Sequence, residues 1–428
     1  MRLLHTKKLV FEEFYETELP KYAILSHRWR GKEVSFQELD EKRVTEKSRM
    51  AKINNCRFLA AQRGFDWVWI DSCCIDRRSS AELSEAINSM FRWYQNSREC
   101  YAYLWDIGTG ETENFTKSEW FERGWTLQEL LAPKDVLFLD SNWTEFGTKF
   151  ELASQIYAAT DIDKFYLRTQ VREPGTFLSR SSVAQRMSWA SKRKTSRPED
   201  LAYCLLGLFD VNMPLLYGEG LHKAFLRLQM EIISSIDDET IFAWTPPPDG
   251  QPHSSMGMLA AEPRCFSDSG KVVTMSLYKT CLEAPTLMTR KGLQLRLKYA
   301  YGARINVGSD LLHRSEFSSD TEVEVIDLPL LCGGQSCLAN DPYLPAAQNV
   351  TLILLRQDDP NCFWRTFGVG ADDFRNGNGR IGEEDPLFRT IKDRVIHVPQ
   401  TEYATERATL ENRQDIVKAL QKKAKGLR

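Results

Sequence analysis

The sequence predicts an α/β protein. A mostly parallel sheet with flanking helices is expected over residues 1–150, and a helical extension over 151–244. A smaller β-rich C-terminal domain follows over 245–403, and a charged terminal helix over 404–428. Three observations predict this. From Leu9 to about Asp140, short apolar segments alternate with segments of helical periodicity, the pattern of strands linked by crossover helices. From Glu151 to about Ile236 the helical pattern stands alone. After Pro246-Pro247-Pro248-Asp249-Gly250, short β-like runs separated by turn residues take over.

In chain order, Tyr22–Leu25, Trp67–Ile70, Cys100–Leu104 and Val136–Leu139 are apolar and rich in aromatic or β-branched residues. They read as strands buried on both faces. Met50–Gln62 is a weakly patterned helix. In Ala81–Ser97, Leu83, Ile87, Met90, Phe91 and Tyr94 share one helical face, with Ser79 and Ser80 as caps. Further helices are expected at Ser182–Ser191, Pro198–Leu206 and Glu219–Ser235, with proline early in the second of these. Beyond the triple proline, Val272–Leu277, Leu293–Leu297, Val323–Leu328, Val350–Leu355 and Phe363–Val369 suggest a small sandwich or barrel. Ala404–Arg428 reads as a solvated terminal helix.

Composition narrows the function. Hydrophobic residues make up 42% and charged residues 27%, as in ordinary globular proteins, and the net charge of -3 provides no global attraction for nucleic acid. No apolar run is long enough to span a membrane, and the N-terminus lacks a signal-peptide core. The ten cysteines sit mostly in apolar stretches, and none falls at zinc-finger spacing, so no metal is expected. Adjacent Cys73 and Cys74 point to opposite faces and make a poor disulfide pair. A reducing, cytoplasmic compartment follows as the expectation. Neither a Walker-A loop nor a Rossmann glycine fingerprint occurs, so no bound cofactor is expected.

Three blocks carry the chemistry. They are Tyr22-Ala23-Ile24-Leu25-Ser26-His27-Arg28-Trp29, Trp67-Val68-Trp69-Ile70-Asp71-Ser72-Cys73-Cys74-Ile75-Asp76, and Trp120-Phe121-Glu122-Arg123-Gly124-Trp125-Thr126-Leu127-Gln128-Glu129-Leu130. In an open α/β sheet, ligands bind where strands end and loops begin, so the polar residues of all three could meet at one crevice. In order and spacing these blocks resemble the heterokaryon incompatibility (HET) domain of filamentous fungi, which is itself related to the TIR domain. Ser182–Ala190, Glu199–Asp210 and Met213–Gly220 are similar to segments downstream of that domain in one large subgroup with a β-rich C-terminal region. The family pattern has Trp-Gly after the first strand. Here Arg30 follows Trp29, placing a cation where a ligand would approach the backbone, although arginine can itself bind phosphate.

The resemblance implies a TIR-like sheet and, because many TIR domains cleave NAD at the nicotinamide–ribose bond, NAD as a substrate. Such chemistry needs a carboxylate near the ribose to stabilise an oxocarbenium-like state. By the same resemblance Glu129, a few residues after Trp125, is the catalytic candidate; a salt bridge with Arg123 is the competing reading. Asp71, at the end of the second strand, is a second candidate, whereas Asp76 reads as a loop cap. Ser26, His27, Trp29, Arg30, Arg123 and Trp125 are expected to bind substrate, with a structural role as the alternative for His27. Trp67, Trp69 and Trp120 read first as packing, and Glu85 as a solvated charge. Lys192-Arg193-Lys194 with Arg197 reads first as a solvated helix end, with contact to an anionic ligand or partner as the alternative.

The function implied is that of a fungal incompatibility effector that triggers programmed cell death on non-self recognition, after self-association or contact with an unknown partner or trigger. The alternatives are a non-catalytic interaction module and a divergent enzyme acting on a small metabolite.

Overall fold

The computed structural model describes residues 1–168, 178–247 and 258–274, and the strand segments 282–289, 292–308, 320–334, 349–356, 363–366 and 389–398. The chain forms two compact units. One comprises Met1–Ser181 and Lys192–Ala224, the other Ser182–Ser191 and Phe225–Arg428.

The first unit is a mixed α/β layer structure. Its strands are β1 (Arg2–His5), β2 (Phe11–Glu13), β3 (Tyr22–His27), β4 (Trp67–Trp69), β5 (Glu99–Tyr103), β6 (Val136–Leu139) and β7 (Glu145–Thr148). They form one sheet in the order β2-β1-β4-β3-β5-β6-β7. The four central strands run parallel, joined through β3–β4, β3–β5 and β5–β6. The flanking strands are antiparallel. The central strands are therefore where the sequence expects them, while the sheet as a whole is mixed. β3 is buried along its whole length, which explains its unbroken apolar run.

Helices α1 (Phe36–Asp40), α2 (Lys47–Gln62) and α3 (Ser80–Asn96) link the first strands. The Ser79 side chain caps α3 by accepting from the Glu82 N–H. Tyrosines tie β3 and α3 together. Tyr22 Oη donates to the Trp93 carbonyl at 2.5 Å, and Tyr94 Oη donates to the Leu25 carbonyl at 2.9 Å. Trp69, fully buried, packs edge-on against Trp93 and Tyr94. Trp67 instead lies half-buried against His5 and Phe14.

Helix α4 (Thr126–Leu131) is short and buried at every position. Its C-terminal end is held by a buried lysine. Lys149 Nζ donates to the carbonyls of Leu130 at 3.2 Å and Pro133 at 2.5 Å, satisfying acceptors that the helix leaves open. Burial pushes the Lys149 ammonium down to about 8.

Helices α5 (Ala153–Thr160) and α6 (Lys164–Arg168) follow. Where one helix is expected over Pro198–Leu206, the chain makes two short ones, α8 (Asp200–Tyr203) and α9 (Leu206–Phe209); α7 (Val183–Ala190) belongs to the other unit. The break arises because the Leu205 N–H bonds to the Ala202 carbonyl, three residues back, tightening the turn. α9 lies close on α3, and only glycine fits at the contact. A Cβ on Gly207 would lie 2.1 Å from Phe91 Cβ.

In the second unit, Ser182 caps α7 in a reciprocal capping box with Gln185. The Ala184 N–H donates to Thr240 Oγ1, and Trp244 Nε1 donates to the Met258 carbonyl. β8 (Val272–Thr274), β9 (Leu282–Thr289), β10 (Gly292–Gly308), β11 (Asp320–Gly334), β12 (Asn349–Arg356), β13 (Phe363–Thr366) and β14 (Arg389–Val398) pair antiparallel throughout. The expected terminal helix and most of the Pro246–Gly250 boundary lie outside the described residues.

Cys56, Cys73, Cys74, Cys100, Cys204 and Cys265 are buried free thiols. Among the described residues there is no cluster of three or more histidine, cysteine or acidic side chains fit for a metal. No described helix is long and apolar enough to cross a membrane.

Candidate active site at the ends of the parallel strands

Parallel strands end on the same edge of a sheet. β3 delivers Ser26 and His27 to that edge, and the turn after β4 delivers Asp71. The turn begins immediately after β4, where the N–H groups of Cys73 and Cys74 return to the Ile70 carbonyl. α4 packs against β3 and brings Glu129 to the same place.

Ser26 Oγ donates to Glu129 Oε2 at 2.5 Å and accepts from Trp120 Nε1 at 2.8 Å. Ser26 and Trp120 are essentially inaccessible to solvent, and Glu129 is 5% exposed. Trp120 packs among aromatic rings, as expected, and also supplies the second hydrogen bond of this network. Burial is the largest influence on Glu129 and pushes its carboxyl up to about 7. The charges of Arg123 and Arg193 and the Ser26 hydrogen bond oppose the rise, while Asp71 adds to it.

Asp71 is braced by Trp29, whose Nε1 donates to Oδ2 at 2.7 Å. The Arg77 guanidinium lies 3.9 Å from the Trp29 ring centroid and 3.8 Å from Asp71 Oδ2. His27 lies beside Asp71, with Nδ1 3.6 Å from Oδ1. That is too long for a hydrogen bond, and Asp71 Oδ1 and both imidazole nitrogens have no hydrogen-bond partner. Burial, with the charges of Lys52, Arg123 and Arg77, holds the imidazolium far below the ordinary histidine range. The contact is therefore one between neutral imidazole and carboxylate, not an ion pair.

Glu129, Asp71, Trp29 and Arg77 face a cavity of about 470 Å³, within the range that holds a small molecule or cofactor. Of the residues singled out from the sequence, Glu129, Asp71, Trp29, Arg123 and Trp125 line it. Ser26 and His27 are buried and do not line it; Ser26 contacts Glu129 and His27 lies beside Asp71. Arg30 does not line it either, and its guanidinium lies 3.3 Å from the ring centroid of Trp105. Asp76 is held by Arg78 and Gln37, as a loop cap would be, and Glu85 is exposed.

Several lining residues were not picked out for this site from the sequence. Arg28 pairs with Glu119, and Lys194 Nζ lies 3.3 Å from Glu122. Arg77, Arg197, Asp200 and Tyr217 complete the walls. Residues 192–197 reach the site by running beside the turn before α4. The Gly124 N–H donates to the Lys194 carbonyl, and the Lys194 N–H donates to the Glu122 carbonyl. A side chain at Gly124 would put its Cβ 2.5 Å from Thr195 Cγ2. Within the basic cluster, Lys192 and Lys194 are solvated as expected. Arg193 is buried and donates to the Arg123 carbonyl and Thr126 Oγ1.

The arrangement has a clear chemical character. One buried carboxylate, held by a serine, faces a cavity whose walls mix the cations Arg28, Arg77, Arg123, Lys194 and Arg197 with the carboxylates Asp71, Glu119, Glu122 and Asp200. Such a site suits a ligand that carries anionic groups and develops positive charge at one carbon.

Ser26→Ala is expected to cost about 1–3 kcal/mol, because it orphans the buried Trp120 N–H and removes a donor from Glu129. A urea midpoint measured near pH 6 tests this, and an unchanged midpoint would dismiss the network as a source of stability. Glu129 also makes stability depend on pH. Its folded value lies near 7, above the ordinary 4.5, so between these limits the folded state holds more protons than the unfolded state. Stability should therefore fall by about 3 kcal/mol as pH rises from 4.5 through 7. Melting temperatures of the wild type and Glu129→Gln across this range check it. The variant should lose that slope, and parallel curves would contradict the assignment.

Residues 22–112 match the family model described as Heterokaryon incompatibility protein (HET). Over 226 residues the chain is 43% identical to the vegetative incompatibility protein HET-E-1 of Podospora anserina, a stretch that covers 50% of this chain and 16% of that relative. The family match supports a HET domain over residues 22–112, and the chain spans about a sixth of the length of the incompatibility protein it resembles. No solved structure matches the chain.

Proposed function

From the HET match over residues 22–112, we propose that this chain is a fungal incompatibility effector whose cavity hydrolyses NAD at the nicotinamide–ribose bond. By this reading it is a cytoplasmic protein that triggers programmed cell death after self-association, its first unit a TIR-like catalytic module. The observation that carries the reading is Glu129, a carboxylate desolvated at the cavity wall, held by Ser26 and flanked by Arg123.

The proposed step balances simply. The C1′–N1 bond breaks and its electron pair returns to the pyridine ring, so nicotinamide leaves neutral and needs no acid. The ribose carbon becomes oxocarbenium-like, and the Glu129 carboxylate stabilises that charge. Water adds at C1′, and its proton passes to Glu129 and then to solvent. Asp71, braced by Trp29, would accept from ribose hydroxyls. Arg77, Arg123, Lys194 and Arg197 would hold the diphosphate. Because Glu129 must be ionised, turnover should rise with pH through about 7.

The test is incubation of purified protein with NAD, with and without a crowding agent that promotes assembly. Nicotinamide release in the assembled state is expected; its absence there would overturn the enzymatic reading. A second reading is favoured by one observation. Glu129 is only 5% exposed, and its interaction with Ser26 is complete without a ligand. A non-catalytic interaction module would use the carboxylate only for structure, and cell death would then survive Glu129→Gln at equal protein levels.

A further inference from the structure

The segment Ser196–Gly220 supplies one wall of the cavity, and of its residues the proposed hydrolytic step uses only Arg197. It is built with care. Glu199 is buried, and its Oε1 accepts from the Gly218 and Gly220 N–H groups at 2.9 and 3.0 Å. Both glycines have positive φ, +102° and +81°, a conformation that side chains rarely adopt. Tyr203 Oη accepts from the Leu216 N–H at 2.9 Å and donates to Glu219 Oε1 at 2.8 Å. A turn pinned at this many points presents its remaining side chains at fixed positions.

What it presents is a carboxylate. Asp200 lines the cavity and is half-buried. Tyr217 Oη donates to its Oδ1 at 3.0 Å, and Trp125 Nε1 donates to its Oδ2 at 3.4 Å. These donors fix the plane of the carboxylate but use only one lone pair on each oxygen, leaving acceptor capacity free. Asp200 makes no direct ion pair among the described residues; burial raises its pKa, while the Tyr217 and Trp125 hydrogen bonds and the nearby Arg197 and Arg77 charges oppose the rise. Tyr217 is backed by Arg197, 4.2 Å from its ring centroid, and by an edge-on contact with Tyr203.

We propose that Asp200 is the specificity-determining residue of this cavity. It accepts a hydrogen bond from an uncharged amino or amide N–H of the ligand and repels a ligand that carries a carbonyl or carboxylate there. Tyr217 is its positioning residue. The inference rests on the reading of the cavity as a dinucleotide site. Two parts of such a ligand carry this chemistry, the nicotinamide carboxamide and the adenine amine. A site built to pair with an N–H discriminates strongly, because the analogue leaves its acceptor facing another acceptor.

The experiment measures binding rather than turnover, on the full chain carrying Glu129→Gln so that ligand persists. Dissociation constants are compared for NAD, nicotinic acid adenine dinucleotide and nicotinamide hypoxanthine dinucleotide. NAD should bind at least about tenfold more tightly than one of the two analogues, and which one identifies the end that Asp200 reads. Adding Asp200→Asn, which can donate to the analogue, should reduce that ratio to about threefold or less. Tyr217→Phe should give an intermediate ratio and serves as the second variant should Asp200→Asn fold poorly. A preference that persists through both changes, with NAD still bound, overturns the inference and leaves the dinucleotide reading intact. Selective, Asp200-dependent binding with no nicotinamide release by the unsubstituted protein removes hydrolysis and leaves the inference standing. No binding of any of the three overturns both.

Discussion

Glu129→Gln is expected to reduce nicotinamide release by about 10²–10³-fold while the chain stays folded. Glutamine keeps the shape and can still accept from Ser26 Oγ, so the network with Trp120 survives. On the proposed hydrolytic reading, what disappears is the negative charge facing the cleaving bond. In a site where burial already pushes the carboxyl up to about 7, that charge acts through little intervening water. Single-turnover assays with NAD, paired with a melting curve, measure both halves. A folded variant that retains more than about a tenth of the activity would transfer the role to Asp71 or end the catalytic reading.

The largest expected effect on stability lies elsewhere. Gly207→Val should destabilise the first unit by about 3 kcal/mol or more. Even an alanine Cβ would sit 2.1 Å from Phe91 Cβ and 2.6 Å from Phe91 Cγ, so α9 must lift from α3. Valine adds two methyl groups at a contact that has no space for one. Phe91 cannot swing outward cheaply, since it is 7% exposed within the packed face of α3. Urea denaturation gives the value, and a change under about 1 kcal/mol would show that α9 can move. The same α3 presents Leu83, Ile87 and Met90 to the cavity, so loss of ligand binding should accompany the loss of stability.

Much of the central sheet was legible because buried parallel strands declare themselves as apolar runs. Tyr22–His27 and Val136–Leu139 are plain examples. β1 was not legible. It is an edge-side strand of four residues whose Arg2 pairs with Glu13 and Glu82, so its sequence looks like a charged terminus. The nearness of Ser26, Asp71 and Glu129 could be argued from the sequence, since strand ends on one edge and the helix that crosses it must come together. The position of Arg30 could not, because stacking on Trp105 leaves no trace in local pattern. Asp200 and Tyr217 were hidden for a different reason. They stand in a stretch that reads as plain helix and turn, and their role depends on residues 192–197 folding back beside Gly124. The glycine was the available signal, marking a close approach of two backbones.

The first unit is assembled from two stretches of chain separated by Ser182–Ser191, and this bears on when the protein becomes competent during its synthesis. Ribosomes release residues in order, at about 5–20 per second. A nascent chain that has reached residue 150 already carries Glu129 and Asp71, but not Lys194, Asp200 or Tyr217. Its cavity lacks a wall, and its short α4 lacks the buried Arg193 that binds the Arg123 carbonyl and Thr126. For an effector of the proposed kind, this order of delivery is protective. Stalled ribosomes and prematurely terminated messages would yield fragments with the reactive carboxylate but no closed site around it. Competence would arrive only once translation has passed the second stretch, by which point the whole first unit can close as one body.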